Sequence, residues 1–256
     1  MADLLKMDLY RMRKSKSFLI CLIIAFVLAF SSEPLTKLLY MVAATLSPDI
    51  EPFENTARLA DILSRPLPLI NSMLVLLSAC SFFYADAENG YIKNIAGQTA
   101  RKSDCVLSKF FAMIPHNLLF MAVGILGSLL GSILVLRVTF DSGIWDALRI
   151  ILLKLLLLQA VCSILLLVTG VYRSKPLGFA IAVLMGMGFL FLLYTGIDSA
   201  LGQIFKNKSF MIGDYMPDQL MLSSDPDTLT SIIVSAVTIG IFLPVSLSVF
   251  NKREVK

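Results

Sequence analysis

The sequence predicts an all-α membrane protein, on three observations: 57% of its residues are hydrophobic, only 16% are charged, and the apolar residues fall in long blocks. Soluble domains average roughly 45–50% and about 25% on the same measures, so the excess must face something other than water. The blocks show neither the alternation of a half-wet strand nor the 3.6-residue spacing of a half-wet helix. A bilayer is the simpler solvent for them.

A hydrocarbon core of about 30 Å takes roughly 20 residues of helix, each backbone amide bonding within its own segment. Six stretches meet this requirement, at about 15–32, 67–85, 110–136, 150–171, 176–197 and 229–250. The apolar part of the first, Phe18 to Phe30, is short. It is expected to borrow its flanking serines, with Lys14 and Lys16 snorkelling to the headgroups. The residues that follow, Ser31, Ser32, Glu33 and Pro34, offer no small-residue cleavage site, so this span reads as retained and not as a secretory signal. Cys21, Cys80 and Cys162 fall inside spans and Cys105 in a loop, which leaves no outer pair for a disulfide. No internal repeat or long soluble stretch interrupts the chain, so residues 1–256 read as a single transmembrane domain.

Six spans divide the charges unevenly. One face collects 14 of the 22 basic residues, among them Arg11, Arg13, Lys14, Lys93, Arg101, Lys102, Lys252 and Arg253, and the other collects 12 of the 18 acidic ones. The positive face is expected in the cytoplasm, with both termini there, in a multi-pass protein of the cell membrane. Because the basic residues flank spans, lipid headgroups and topology account for them and no nucleic-acid partner is expected. Within residues 1–17, Leu5, Leu9 and Met12 recur at helical spacing, with Lys6, Arg13 and Lys14 elsewhere around the axis. A basic flank explains the charges but not that spacing, so an interfacial amphipathic helix resting on membrane lipid is expected. Two outer loops, Ser31 to Pro66 and Asp198 to Thr228, are turn-rich and read as irregular. Phe205 and Phe210 to Ile212 fit either a second loop dipping into the membrane surface or one packed on helix ends.

The stretch between spans two and three is the most specific. It holds an acidic pair, Asp86 and Glu88, then Gly90, then a short Tyr91-Ile92-Lys93-Asn94-Ile95 segment, a polar turn with Arg101, and a Leu-Ser-Lys109 lead-in to the next span. With Met7-Asp-Leu-Tyr-Arg11 and Ser15-Lys-Ser-Phe18 ahead of the first span, this pattern resembles the ABC-2 type transporter permeases. It is most similar to the small bacterial permeases linked to export of, or immunity to, antimicrobial peptides. The resemblance implies an exporter's membrane subunit, paired with a second permease subunit as a homodimer or heterodimer and docked on separate ABC ATPase subunits. It further implies that the loop after span two is a cytoplasmic coupling helix. A rigid short element between two spans is what turns movement of a partner into movement of helices. In that role Tyr91, Ile92 and Ile95 supply apolar contact, Lys93 and Arg101 a charged rim, and Gly90 the break from the span.

No glycine of the chain is followed by lysine, so a phosphate-cradling G-x-x-x-x-G-K-[ST] loop is impossible here. No cofactor is therefore expected on this chain, ATP and Mg²⁺ belonging to the partner ATPase, and the chain is not expected to be an enzyme. An intramembrane enzyme is the competing reading, but the one histidine, His116, lies beside Pro115 and Asn117 with no H-E-x-x-H or G-x-S-x-G around it. That reads as a helix-end hydrogen-bonding group. A non-transporting immunity or scaffold subunit is the third reading.

Lys154 is the one charge set about a turn inside span four, where it either snorkels outward, pairs with Asp141 or Asp146, or serves translocation. Gln159 either lines a route or bonds between helices. Gly127 and Gly131 on span three form a small-x-x-x-small pair, and Gly186 with Gly188 a less regular one. Close helix packing is expected of both, as is a kink at Pro244.

Overall fold

A computed structural model describes residues 2–46, 56–59, 62, 69–88, 103–135, 137–139, 143–172, 174–205 and 211–252. Its elements are α1 (Ala2–Lys14), α2 (Lys16–Leu46), β1 (Thr56–Arg58), α3 (Leu69–Glu88), α4 (Ser103–Val135), β2 (Arg137–Thr139), α5 (Ile144–Tyr172), α6 (Lys175–Gly186), α7 (Leu190–Phe205), α8 (Pro217–Leu222) and α9 (Thr228–Lys252). The fold is α-helical. The two three-residue strands pair in parallel, Thr56 opposite Arg137 and Arg58 opposite Thr139, at the end of the bundle away from α1.

Helices α3 and α5 occupy the middle. Val75, Leu76, Ala79 and Cys80 of α3 and Leu157, Leu158, Val161 and Leu165 of α5 are all sealed from solvent. Around them α2 packs on α4, α9 on α5, and α6 on α3. The outward faces of α2 (Ile20, Ile23, Val27) and α9 (Leu229, Ile233, Ile241) are apolar and exposed, as lipid-facing surfaces are.

Small residues set these contacts. Gly127 and Gly131 let α4 approach the backbone of α2 between Phe26 and Phe30. On α6, Gly178, Ala182 and Gly186 share one buried face at four-residue spacing, with Gly178 against Cys80 and Tyr84 and Gly186 against the Met73 backbone. Gly186 therefore pairs with Gly178 and not, as its neighbourhood in sequence suggested, with Gly188.

Among the described residues, four helical stretches are long and apolar enough to cross a membrane, Lys16–Ala43, Ser103–Val135, Ile144–Tyr172 and Thr228–Asn251. The expected span over 176–197 is not one straight helix. It is broken at Met187 to Phe189, where Gly188 takes φ 72° and α6 and α7 meet at 74°; counted as one bent span, the pair makes five. The expected span over 67–85 corresponds to the shorter apolar helix Ile70–Ala85.

Two further expectations change. The first span does not stop near residue 32; α2 continues through Pro34 to Leu46, so the loop expected from Ser31 begins as helix. Pro34 brings no amide to the Phe30 carbonyl, but Ser31 and Ser32 bond back to the carbonyls of Leu28 and Ala29 at 3.2 and 2.7 Å, and Thr36 to that of Ser32 at 2.8 Å. The second outer loop likewise holds the end of α7, a 3₁₀ turn at Gly213–Tyr215, and α8.

Candidate functional site

The helix ends that flank the connection between α3 and α4 are tied to their neighbours by buried polar side chains. Lys109, one and a half turns into α4, is 6% exposed and extends its Nζ to the Phe83 carbonyl of α3 at 3.1 Å, with the Phe82 ring 5.7 Å away. This joins the last turns of α3 to the first turns of α4. Beside it the Tyr84 hydroxyl donates to the Ser174 carbonyl at 2.7 Å, fixing the end of α3 to the turn between α5 and α6. On the other side of α4, Ser108 donates to the buried carboxylate of Asp8, which also faces Arg11 at 3.7 Å. Helix α1 is thereby bound to α4 by charge-assisted contact as well as by Met12 and its apolar neighbours.

About two turns deeper, α4 carries His116 and Asn117, both fully buried. The orientation of their network follows from one fixed acceptor. Gln159 of α5 donates its amide to the Phe110 carbonyl at 2.8 Å, which turns its oxygen toward Asn117. Asn117 must then present its amide to Gln159 Oε1, at 3.0 Å, and its oxygen to His116 Nδ1, at 3.1 Å. His116 Nδ1 therefore carries the hydrogen, and Nε2 accepts from the Ser78 hydroxyl of α3 at 3.0 Å. Pro115 sits in the same turn and lacks an amide for the Phe111 carbonyl, next to the Phe110 carbonyl that Gln159 reaches. The rings of Phe18 on α2 and Phe120 flank the imidazole, with centroids 5.4 and 4.9 Å from it. One stretch of α4, residues 108–120, thus holds α1, α2, α3 and α5.

Of the residues expected to couple to an ATPase, Asp86 and Glu88 lie on the last turn of α3 and Lys109 in the anchor just described. Gly90, Tyr91, Ile92, Lys93, Asn94, Ile95 and Arg101 lie outside the described residues. Gln159 bonds between helices. Lys154, 3% exposed on α5, is enclosed by the bundle, whereas Arg149, nearer the start of α5, is exposed and pairs with Asp225 at 3.1 Å.

His116 bonds as the sequence suggested but sits in the interior of α4, since the helix begins at Ser103 and not near residue 110. Asp8, Ser78, Tyr84, Ser108 and Asn117 were not anticipated. For Asp8 a signal existed, a carboxylate one turn from Met12 and Leu5 on the apolar side of an amphipathic helix.

This arrangement defines a multi-pass helical membrane protein whose connection between α3 and α4 is anchored on both sides. The family whose model matches the chain is described as ABC-2 family transporter protein, and the match covers residues 4–189, from α1 to the break after α6. The chain belongs to this family of transporter membrane components. No curated protein matches it.

Proposed function

We propose that the chain is the membrane-spanning permease subunit of an ABC exporter, energised by a separate ATPase and moving a peptide or other amphiphilic substrate. In this reading α2, α3, α4, α5, the bent α6 and α7 pair, and α9 are the six membrane crossings. Both termini lie in the cytoplasm, α1 rests at the lipid interface, and a second permease subunit completes the route. ATP and Mg²⁺ act on the ATPase.

Residues 86–101 form the coupling element. The observation that carries this role is the contact from Lys109 Nζ to the Phe83 carbonyl, because it locks the two helix ends from which the loop springs. A push on a loop whose ends were independent would be absorbed locally. A push on ends joined to each other, to α1 through Ser108 and to α5 through Gln159 moves several helices together. The experiment is affinity purification of the tagged full-length chain with its ATPase. The wild type is expected to retain the ATPase and the double variant Tyr91→Asp/Ile95→Asp to lose it at unchanged membrane abundance. Equal recovery of the ATPase from both contradicts the proposal.

A further inference from the structure

The break in the fifth apolar block is held from outside by one short segment. After Gly188, α7 leaves the bundle with Phe191, Leu192, Leu193 and Ile197 exposed. Two of its side chains tie it back. Asp198 accepts from the amides of Ile212 and Gly213 at 2.8 and 3.4 Å, and the Tyr194 hydroxyl reaches Asp218 Oδ1 at 3.1 Å. Asp218 belongs to α8, which is seated on α5 and α9 through the buried Pro217 and Met221. Its other oxygen accepts from Gln219 Nε2 at 2.9 Å, and that same nitrogen lies 3.4 Å from the Gly188 carbonyl. Leu222 fills the space beside Gly188, where a Cβ would come within 2.8 Å of its Cδ1. A single carboxyl group thus stands between the bundle, the break and the departing helix, and it is 0% exposed.

The titratable groups on the elements around α8, among the described residues, are Tyr194 and Asp198 on α7, Asp214 and Tyr215 in the 3₁₀ turn, Asp146, Arg149, Lys154, Cys162 and Tyr172 on α5, Asp225 and Asp227 ahead of α9, and Lys252 at its far end. Of these Tyr194 bonds to Asp218, and Arg149 is engaged by Asp225. No described cation bonds to the Asp218 carboxyl. A buried carboxylate without a cation is destabilised relative to its hydrated form. A protonated one keeps both contacts without that cost, its oxygens accepting from Gln219 and from the Tyr194 hydroxyl.

We propose that Asp218 is the positioning residue of a proton-sensitive clasp that holds α7 against α8 while its carboxyl is protonated and releases α7 as it ionises. Burial raises the pKa of Asp218 above the ordinary carboxylate value, with the bonds from Gln219 and Tyr194 opposing that shift. The clasped state therefore holds the proton more tightly than a released, hydrated state. Clasping is favoured at low pH and lost as the pH rises through the raised value.

The test reads conformation and does not depend on transport or on any partner. The four native cysteines are replaced by alanine, spin labels are attached at the exposed positions 193 on α7 and 229 on α9, and distances are measured by electron–electron resonance in lipid nanodiscs. The wild type should give a narrow distribution in acid buffer at about pH 5 and a broader, shifted one in alkaline buffer at about pH 9, because burial raises the carboxyl above its ordinary value. Asp218→Asn, which keeps the neutral form, should be narrow at both pH values, and Tyr194→Phe broad at both. A wild-type distribution unchanged between the two pH values overturns the clasp. So does an Asp218→Asn variant that still broadens, or a Tyr194→Phe variant as narrow as the wild type at low pH.

Discussion

Gly131 of α4 lies directly on the Phe30 carbonyl of α2, so close that a Cβ at position 131 would overlap that oxygen. Phe30 is four residues before Pro34, so its carbonyl is the one the proline leaves without a helical donor. The two peculiarities meet at one point, where a helix interrupted by proline is sealed by a neighbour that has no side chain.

Gly131→Ala should therefore force α2 and α4 apart. Overpacking of this kind costs about 1–3 kcal/mol. Gly240 of α9 has open space where a Cβ would go, so Gly240→Ala should be neutral or stabilising, since alanine favours helix by up to about 1 kcal/mol over glycine. Thermal unfolding in detergent checks both. Equal melting temperatures for the two variants would remove Gly131 as a packing determinant.

Gln159→Leu should remove the bonds to the Phe110 carbonyl and from the Asn117 amide inside the bundle, at a cost of about 1–3 kcal/mol. Because Asn117 and Gln159 belong to one network, combining Asn117→Leu with Gln159→Leu should cost less than the sum of the single variants. A double-mutant cycle by equilibrium unfolding measures this, with an expected coupling of about 0.5–3 kcal/mol. Strict additivity would mean that the network does not act as a unit.

At the start of α9, Asp227 accepts from the Thr230 amide at 2.8 Å, and this bond holds its carboxyl below the usual carboxylate range. A depressed value stabilises the fold above the unfolded value of 3.8 and is lost as the pH falls through the folded one. Asp227→Asn should accordingly flatten the acid limb of the melting-temperature profile. An acid limb identical to the wild type would assign that limb to other groups.

On the proposed orientation, an impermeant thiol reagent applied to intact cells should label a cysteine at exposed position 214 and spare one at exposed position 13. Labelling of position 13 with protection of position 214 would invert the topology.

The sequence made the membrane helices legible to the degree that each is a continuous apolar run. α9 matches its expected bounds within two residues, and α4 and α5 end within one residue of theirs but begin six or seven residues earlier, where the sequence is more polar. The break at Gly188 was not legible, because the apolar pattern continues through it. What bends the chain there is a glycine with positive φ, held by Gln219 and Leu222 some thirty residues away. The extension of α2 past Pro34 was missed for a similar reason, since local rules stop a helix there and tertiary packing on α4 carries it on. In the anchor, Lys109 stood out in the sequence only as part of the loop pattern assigned to coupling, and its inward turn onto the Phe83 carbonyl was not legible. Ser78, Asn117 and Gln159 are single polar residues in apolar runs, and only the fold shows that they face one another.

The central claim is that the loop between α3 and α4 transmits the work of a separate ATPase into this bundle. It is tested most directly by ATP hydrolysis in the reconstituted complex of the full chain and its ATPase, for the wild type and for Tyr91→Asp/Ile95→Asp. Each unpaired charge in a desolvated contact costs several kcal/mol, so the double variant should reduce permease-dependent hydrolysis to the rate of the ATPase alone. Hydrolysis that stays at the wild-type rate, with the double variant present in the membrane at normal abundance, would show that the loop is a connector and not a coupler.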